Sequence, residues 1–153
     1  SDMSDTLFPN GAALIFGGRG GIGSGVAREF ANAGSSVAIV YRSKHDVAQT
    51  LADALKSDVV ATSIHAADVC DSAQVAAAVA SAKAAHGHIH TIVWCAGRLA
   101  DQVLISETSP EQWKEAIDVE VHGCFNVVQA TLPLLREQGG GSYVTLGSAG
   151  QLR

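Results

Sequence analysis

A glycine-dense turn, Gly17-Gly18-Arg19-Gly20-Gly21-Ile22-Gly23, is the segment of the chain best suited to chemistry. It follows a short apolar run, Ala12 to Phe16, and opens a stretch in which Ile22, Val26 and Phe30 recur at helical spacing. In a strand–glycine turn–helix unit, one glycine permits the tight turn, another lets backbone approach a pyrophosphate, and the last lets helix pack on strand. The helix N-terminus then offers free N–H groups and a positive dipole end to the phosphates. Gly17, Arg19, Gly20, Gly21, Ile22 and Gly23 are therefore expected to bind a dinucleotide. About 20 residues on, where an NAD site places a carboxylate on the ribose, the sequence reads Tyr41-Arg42-Ser43. No carboxylate is available to repel a 2′-phosphate, and Arg42 can grip one, with Arg19 able to reach the same group. NADP, as NADPH, is accordingly expected in preference to NAD.

Other constellations carry less. His86-x-His88-x-His90 alternates as strand ligands for a metal would, but Gly87 argues for a turn and no fourth ligand is near in sequence. No metal is expected. Gly147-Ser148-Ala149-Gly150 falls one residue short of a hydrolase nucleophile motif. Cys70, Cys95 and Cys124 have no CxxC spacing and read as packing residues of a reduced, cytoplasmic protein.

The elements that must position the glycine turn can be read from periodicity and punctuation. Strands are expected at Ala12–Phe16, Val37–Tyr41, Val59–His65, Ile89–Cys95 and Ser142–Leu146. Helices are expected from Ile22 to a stop at Gly34, over Lys44–Lys56, from an Asp71-x-x-Gln74 capping box to Gly87, and from Ser109-Pro110-x-Gln112 onward. The last carries Trp113, Ile117, Val121, Phe125 and Val128 on one stripe, with Pro133 expected to kink or end it. Strands alternating with helices imply a doubly wound α/β fold with a parallel sheet. At 153 residues, 47% apolar and 16% charged, the chain fits one globular domain and excludes a disordered one. Residues 1–10 read as a tag remnant and N-terminal arm, and 11–153 as the domain. A net charge of −5 with scattered Lys and Arg argues against nucleic acid or an anionic membrane as partner.

The spacing G-x-x-x-G-x-G at Gly17, Gly21 and Gly23 resembles the fingerprint of the short-chain dehydrogenase/reductases, and the resemblance extends from Ala12 to Gly150. It implies a Rossmann-type fold. It also implies that Asp68-Val69 contacts adenine, that the Cys95-Ala96-Gly97 backbone lies beside the cofactor, and that Ser148 is the catalytic serine. Glu120 stands where the family has the Asn of its proton relay, and Cys95 where it reads Asn. By resemblance the complete enzyme moves hydride between nicotinamide and a carbonyl or alcohol carbon of a small molecule, as a homodimer or homotetramer. The family's Tyr-x-x-x-Lys is absent: Tyr41 and Tyr143 are followed four residues on by His45 and Gly147. The chain thus reads as the cofactor-binding portion, incomplete at its C-terminus and inactive alone. The alternatives are a catalytically silent nucleotide-binding or redox-sensing module, or an interaction protein using the long helix as a dimer face.

Overall fold

The computed structural model describes residues 7–17, 21–97 and 104–147. The chain builds β1 (Ala12–Phe16), α1 (Gly21–Asn32), β2 (Ser36–Tyr41), α2 (His45–Leu55), β3 (Thr62–Ala66), α3 (Ser72–His86) and β4 (Ile89–Trp94) in turn. A short 3-10 turn (Ile105–Glu107) precedes α4 (Pro110–Ile117), a π-helical segment (Asp118–Gly123), α5 (Cys124–Glu137) and β5 (Ser142–Thr145). The five strands form one parallel sheet in the order β3-β2-β1-β4-β5. This is the expected Rossmann-type α/β architecture. The strand order reverses between β1 and β4, the switch point at which such sheets open a crevice.

Both faces of the sheet are covered, so β1 is buried at every residue. Leu14, Phe16, Val40, Ile92 and Trp94 pack with Val75, Val79, Val127 and Leu135 on the α3/α5 side. Ile15, Val37, Ile39 and Val93 pack with Ala27, Leu51, Val26 and Phe30 on the α1/α2 side. The helix signals hold where a cap backs them. Asp71 accepts from Ala73 N and Gln74 N at 3.0 and 3.1 Å at the start of α3. The Ser109/Gln112 box is reciprocal, at 2.8 and 3.1 Å. Gly34 and Gly87, at φ 85° and 74°, end their helices as expected.

Several expectations are corrected. The third strand starts at Thr62, because the Ser57 hydroxyl accepts from Val59 N and Val60 N and folds that stretch into a turn. Val59 is exposed. Ile22 sits in the first turn of α1 and points to solvent; Val26 and Phe30 alone carry that helix's contacts with the core among the expected stripe. The long helix is interrupted by the π-helical segment, which inserts extra backbone and rotates α5 relative to α4. Its buried stripe is therefore Gly123, Val127, Thr131 and Leu135, while Trp113, Val121 and Phe125 face outward. Pro133 does not end α5, which runs on to Glu137. Pro133 has no N–H to offer the Gln129 carbonyl, but Gln129 is on the exposed side of the helix, where a missing intrahelical bond costs least. Cys70 is exposed rather than packed, being held out on the turn after β3, whereas Cys124 packs against the core.

Candidate functional site

The C-terminal ends of β1 to β4 open into a cleft of about 410 Å³. Its floor is Gly17, just after β1. One wall is Val40, Tyr41, Arg42 and Ser43, at the end of β2; the next is Ala67, Asp68 and Val69, after β3. Cys95, Ala96 and Gly97, after β4, close the far side, and Glu115 and Val119 reach in from α4 and the π-helical segment. The sequence expectations for Gly17, Tyr41, Arg42, Ser43, Asp68, Val69, Cys95, Ala96 and Gly97 thus converge on one cavity.

Gly17 shows why this corner is backbone-built. Its φ is 81°, and a β-carbon there would lie 2.7 Å from Ala96 N and 2.8 Å from Cys95 C. The β1 turn therefore touches the β4 turn directly, with Gly17 N donating to Val40 O at 3.1 Å and Cys95 N to Phe16 O at 2.9 Å. The Asp68-Val69 wall is fixed from two helices. Gln74 of α3 accepts from Asp68 N at 3.0 Å, and Asn126 of α5 donates to Val69 O at 2.9 Å. Asp68 Oδ1 in turn accepts from Cys70 N at 2.9 Å, which orients the carboxylate over the turn. Although Cys70 is exposed, partial desolvation on the turn and then the nearby Asp68 charge push its thiol up. Burial also pushes up the half-buried Cys95 thiol, so both stay protonated and poorly nucleophilic at neutral pH.

Glu120 lies in the π-helical segment, where such insertions often mark function. It is exposed overall, yet its carboxylate reaches back over the β4 turn: a β-carbon on Gly97 would meet Glu120 Oε1 at 2.8 Å. Gly123 in the same segment has no room either, its β-carbon position being 2.8 Å from Val69 Cγ2. Nearby, Lys114 pairs with Asp118, and that pairing holds the Asp118 carboxyl below its ordinary range.

Not every expected residue is in the cleft. Gly21, Ile22 and Gly23 open α1 beside it, Gly23 buried and Ile22 exposed, but they do not line it. Arg19, Gly20 and Ser148 lie outside the described residues, as does Arg98. The histidine run is divided among separate neighbours. His86 Nε2 meets Ser63 Oγ, which also meets His65 Nε2, both at 2.8 Å. His90 bonds Ser35 and Thr91 and stacks on Phe8. Val40, Ala67, Glu115 and Val119 were missed from sequence. Val119 had a signal, since it lies four residues before Gly123 on the stripe that Val127 continues; Glu115 had none.

Comparison with known proteins decides the family: residues 11–152 match the short chain dehydrogenase family. The chain belongs to the short-chain dehydrogenases. It is 35% identical over 147 residues to the short chain dehydrogenase citE of Monascus ruber, covering 91% of this chain and 49% of that protein. It is 28% identical over 137 residues to the 3-oxoacyl-[acyl-carrier-protein] reductase FabG of Staphylococcus aureus strain Mu50, covering 90% and 55%. Among solved structures, a short-chain type dehydrogenase/reductase from Mycobacterium ulcerans superposes with a TM-score of 0.83 at 33% identity, over 92% of this chain and 52% of that one. A 3-ketoacyl-(acyl-carrier-protein) reductase from Brucella melitensis, complexed with NADH, gives 0.82 at 30%, over 94% and 60%. The chain therefore spans about half the length of the curated relatives it matches. Among the described residues, no helix of this short-chain dehydrogenase is long and apolar enough to cross a membrane.

Proposed function

We propose that this chain is the cofactor-binding portion of an NADP-dependent short-chain oxidoreductase acting on a carbonyl or hydroxyl group of a small molecule. The observation that carries the reading is the cleft at the switch point, with Gly17 forced open at its floor and Arg42 and Ser43, rather than a carboxylate, at the end of β2. A β-carbon at position 17 would run into the Cys95 and Ala96 backbone. Only glycine therefore lets the β1 and β4 turns meet at the switch point and leave a backbone-lined cradle that fits a dinucleotide. Gly17 and the turn to α1, including Arg19, Gly20, Gly21, Ile22 and Gly23, would hold the pyrophosphate. Arg42 and Ser43 would hold the 2′-phosphate, Asp68 and Val69 the adenine, and Cys95, Ala96 and Gly97 the nicotinamide side.

When bound, the nicotinamide supplies the hydride chemistry. The chain's share is to bind, orient and exclude water. Ser148 would donate to the substrate oxygen, and Glu120, over Gly97, would hold a water through which a proton is relayed to that oxygen in reduction or away from it in oxidation. The substrate class to try first is a 3-oxo carbonyl compound, on the strength of the two oxoacyl reductases among the relatives. The outward Trp113, Val121 and Phe125 support assembly as a homodimer or homotetramer across that helix. The free cysteines support a cytoplasmic setting.

Calorimetric titration of the chain with NADPH and NADH tests the cofactor reading. Charge-assisted contacts of about 1.5–3 kcal/mol predict NADPH binding at least about tenfold tighter, lost in Arg42→Ala while NADH is unchanged. Equal binding of the two nucleotides refutes it.

A further inference from the structure

Arg42 and Ser43 sit in a three-residue connection whose third member, Lys44, is strained. Lys44 has φ 59°, and among the described residues it is the one non-glycine residue with positive φ. That conformation is disfavoured for any residue bearing a β-carbon. Lys44 also occupies the N-cap of α2 without a side-chain cap; its carbonyl alone accepts from Val47 N at 3.1 Å and Ala48 N at 3.4 Å. Nothing within the connection offsets the strain. Immediately outside it, the two flanking side chains meet. Tyr41, the buried last residue of β2, hydrogen-bonds through its hydroxyl to Nδ1 of His45, the first residue of α2. The rings meet edge to face, their centroids 5.6 Å apart at 63°.

Resting on the 2′-phosphate reading of the cleft, we infer that Tyr41 and His45 are positioning residues for Arg42 and Ser43. Their hydrogen bond spans the strained Lys44 and holds the connection in the conformation that presents both side chains to the phosphate. Tyr41 is itself anchored, since its carbonyl accepts from Ala67 N at 2.9 Å in the neighbouring strand's exit. The clamp therefore ties the first turn of α2 to the rigid sheet across a connection that backbone preference alone would leave open. Its role is to fix discrimination between NADPH and NADH, without itself supplying the phosphate's charge partner.

Tyr41→Phe and His45→Phe remove the hydrogen bond and keep both rings. Each variant is titrated with NADPH and NADH, and amide exchange at Arg42, Ser43 and Lys44 is followed in the nucleotide-free chain. The expected result is faster exchange at those amides in both variants. For His45→Phe, since His45 does not line the cleft, it is also about tenfold weaker NADPH binding with NADH unchanged, a difference of about 1.4 kcal/mol. In a Lys44→Asn background, where the left-handed conformation is better tolerated, the same substitutions should cost less than half as much. Unchanged exchange overturns the inference whatever the cofactor, as does equal loss of both nucleotides in His45→Phe or an undiminished loss in the Lys44→Asn background. A parent chain that binds NADPH and NADH equally, yet shows faster exchange in the variants, refutes the phosphate reading and leaves the clamp standing.

Discussion

Gly17→Ala is the substitution whose consequence the structure defines most sharply. Two separate costs fall on one methyl group. At φ 81° an alanine must adopt a left-handed backbone, at a cost of about 1–2 kcal/mol. Its β-carbon would also lie 2.7–2.8 Å from Ala96 N, Ala96 Cα and Cys95 C. These are backbone atoms and cannot swing aside, and overpacking of that kind costs about 1–3 kcal/mol. The combined loss is about 2–5 kcal/mol, which for a domain of this size lowers Tm by about 5–15 °C. Gly25→Ala is the matched control: Gly25 is an exposed interior residue of α1 with nothing within 4 Å of its β-carbon position. There the alanine should raise stability by about 0.5–1 kcal/mol. Urea unfolding of the three chains near neutral pH measures both effects, and NADPH titration of the folded Gly17→Ala chain should show weakened binding because Ala96 is pushed into the cleft. A Gly17→Ala chain as stable as the parent, or a Gly25→Ala chain equally damaged, would show that the contact with the β4 turn sets no such limit.

Two further outcomes concern groups away from the cleft. Burial lowers the pKa of His65, His86 and His90 from the ordinary 6.5, so the native chain keeps them neutral while the unfolded chain protonates them. Their contribution is fully present above pH 6.5 and is lost as pH falls through the lower native values. The urea midpoint should drop as pH is lowered from about 7.5 to about 5, and a flat profile would contradict the assignment. Gln138 clasps the start of β4 with its amide, accepting from Ile89 N at 3.0 Å and donating to Ile89 O at 2.7 Å. Gln138→Ala strands both groups and should cost about 1–3 kcal/mol of unfolding free energy; a loss under half of that would show the clasp to be dispensable.

The strand–helix alternation was legible because its signals are local: apolar runs such as Ala12–Phe16, caps such as Ser109, stops such as Gly34 and Gly87. The cleft was legible for a related reason. Parallel strands bring their C-terminal ends together, so residues read at the ends of β1, β2, β3 and β4 had to meet. What local signals cannot carry is which apolar stripe is covered. Trp113, Val121 and Phe125 have helical spacing as good as that of Val127 and Leu135, and only the π-helical insertion at Asp118–Gly123 decides which set reaches the sheet. Ile22 failed similarly, its place in the first turn of α1 carrying it past the core. The Tyr41–His45 bond and the strain at Lys44 had no sequence signal beyond a spacing of four, since neither residue type demands such a pairing.

Whether the cleft at the ends of β1 to β4 is where a nicotinamide dinucleotide binds can be read residue by residue, by mapping amide chemical shifts of the isotopically labelled chain during NADPH titration. Saturable shifts are expected at Gly17, Tyr41–Ser43, Ala67–Val69 and Cys95–Gly97, with Ser63, His65 and His86 unmoved. Shifts centred instead on the second groove, between α1 and α2 at Ser24, Arg28, Asp46 and Thr50, or no saturable shifts at all, would contradict that placement.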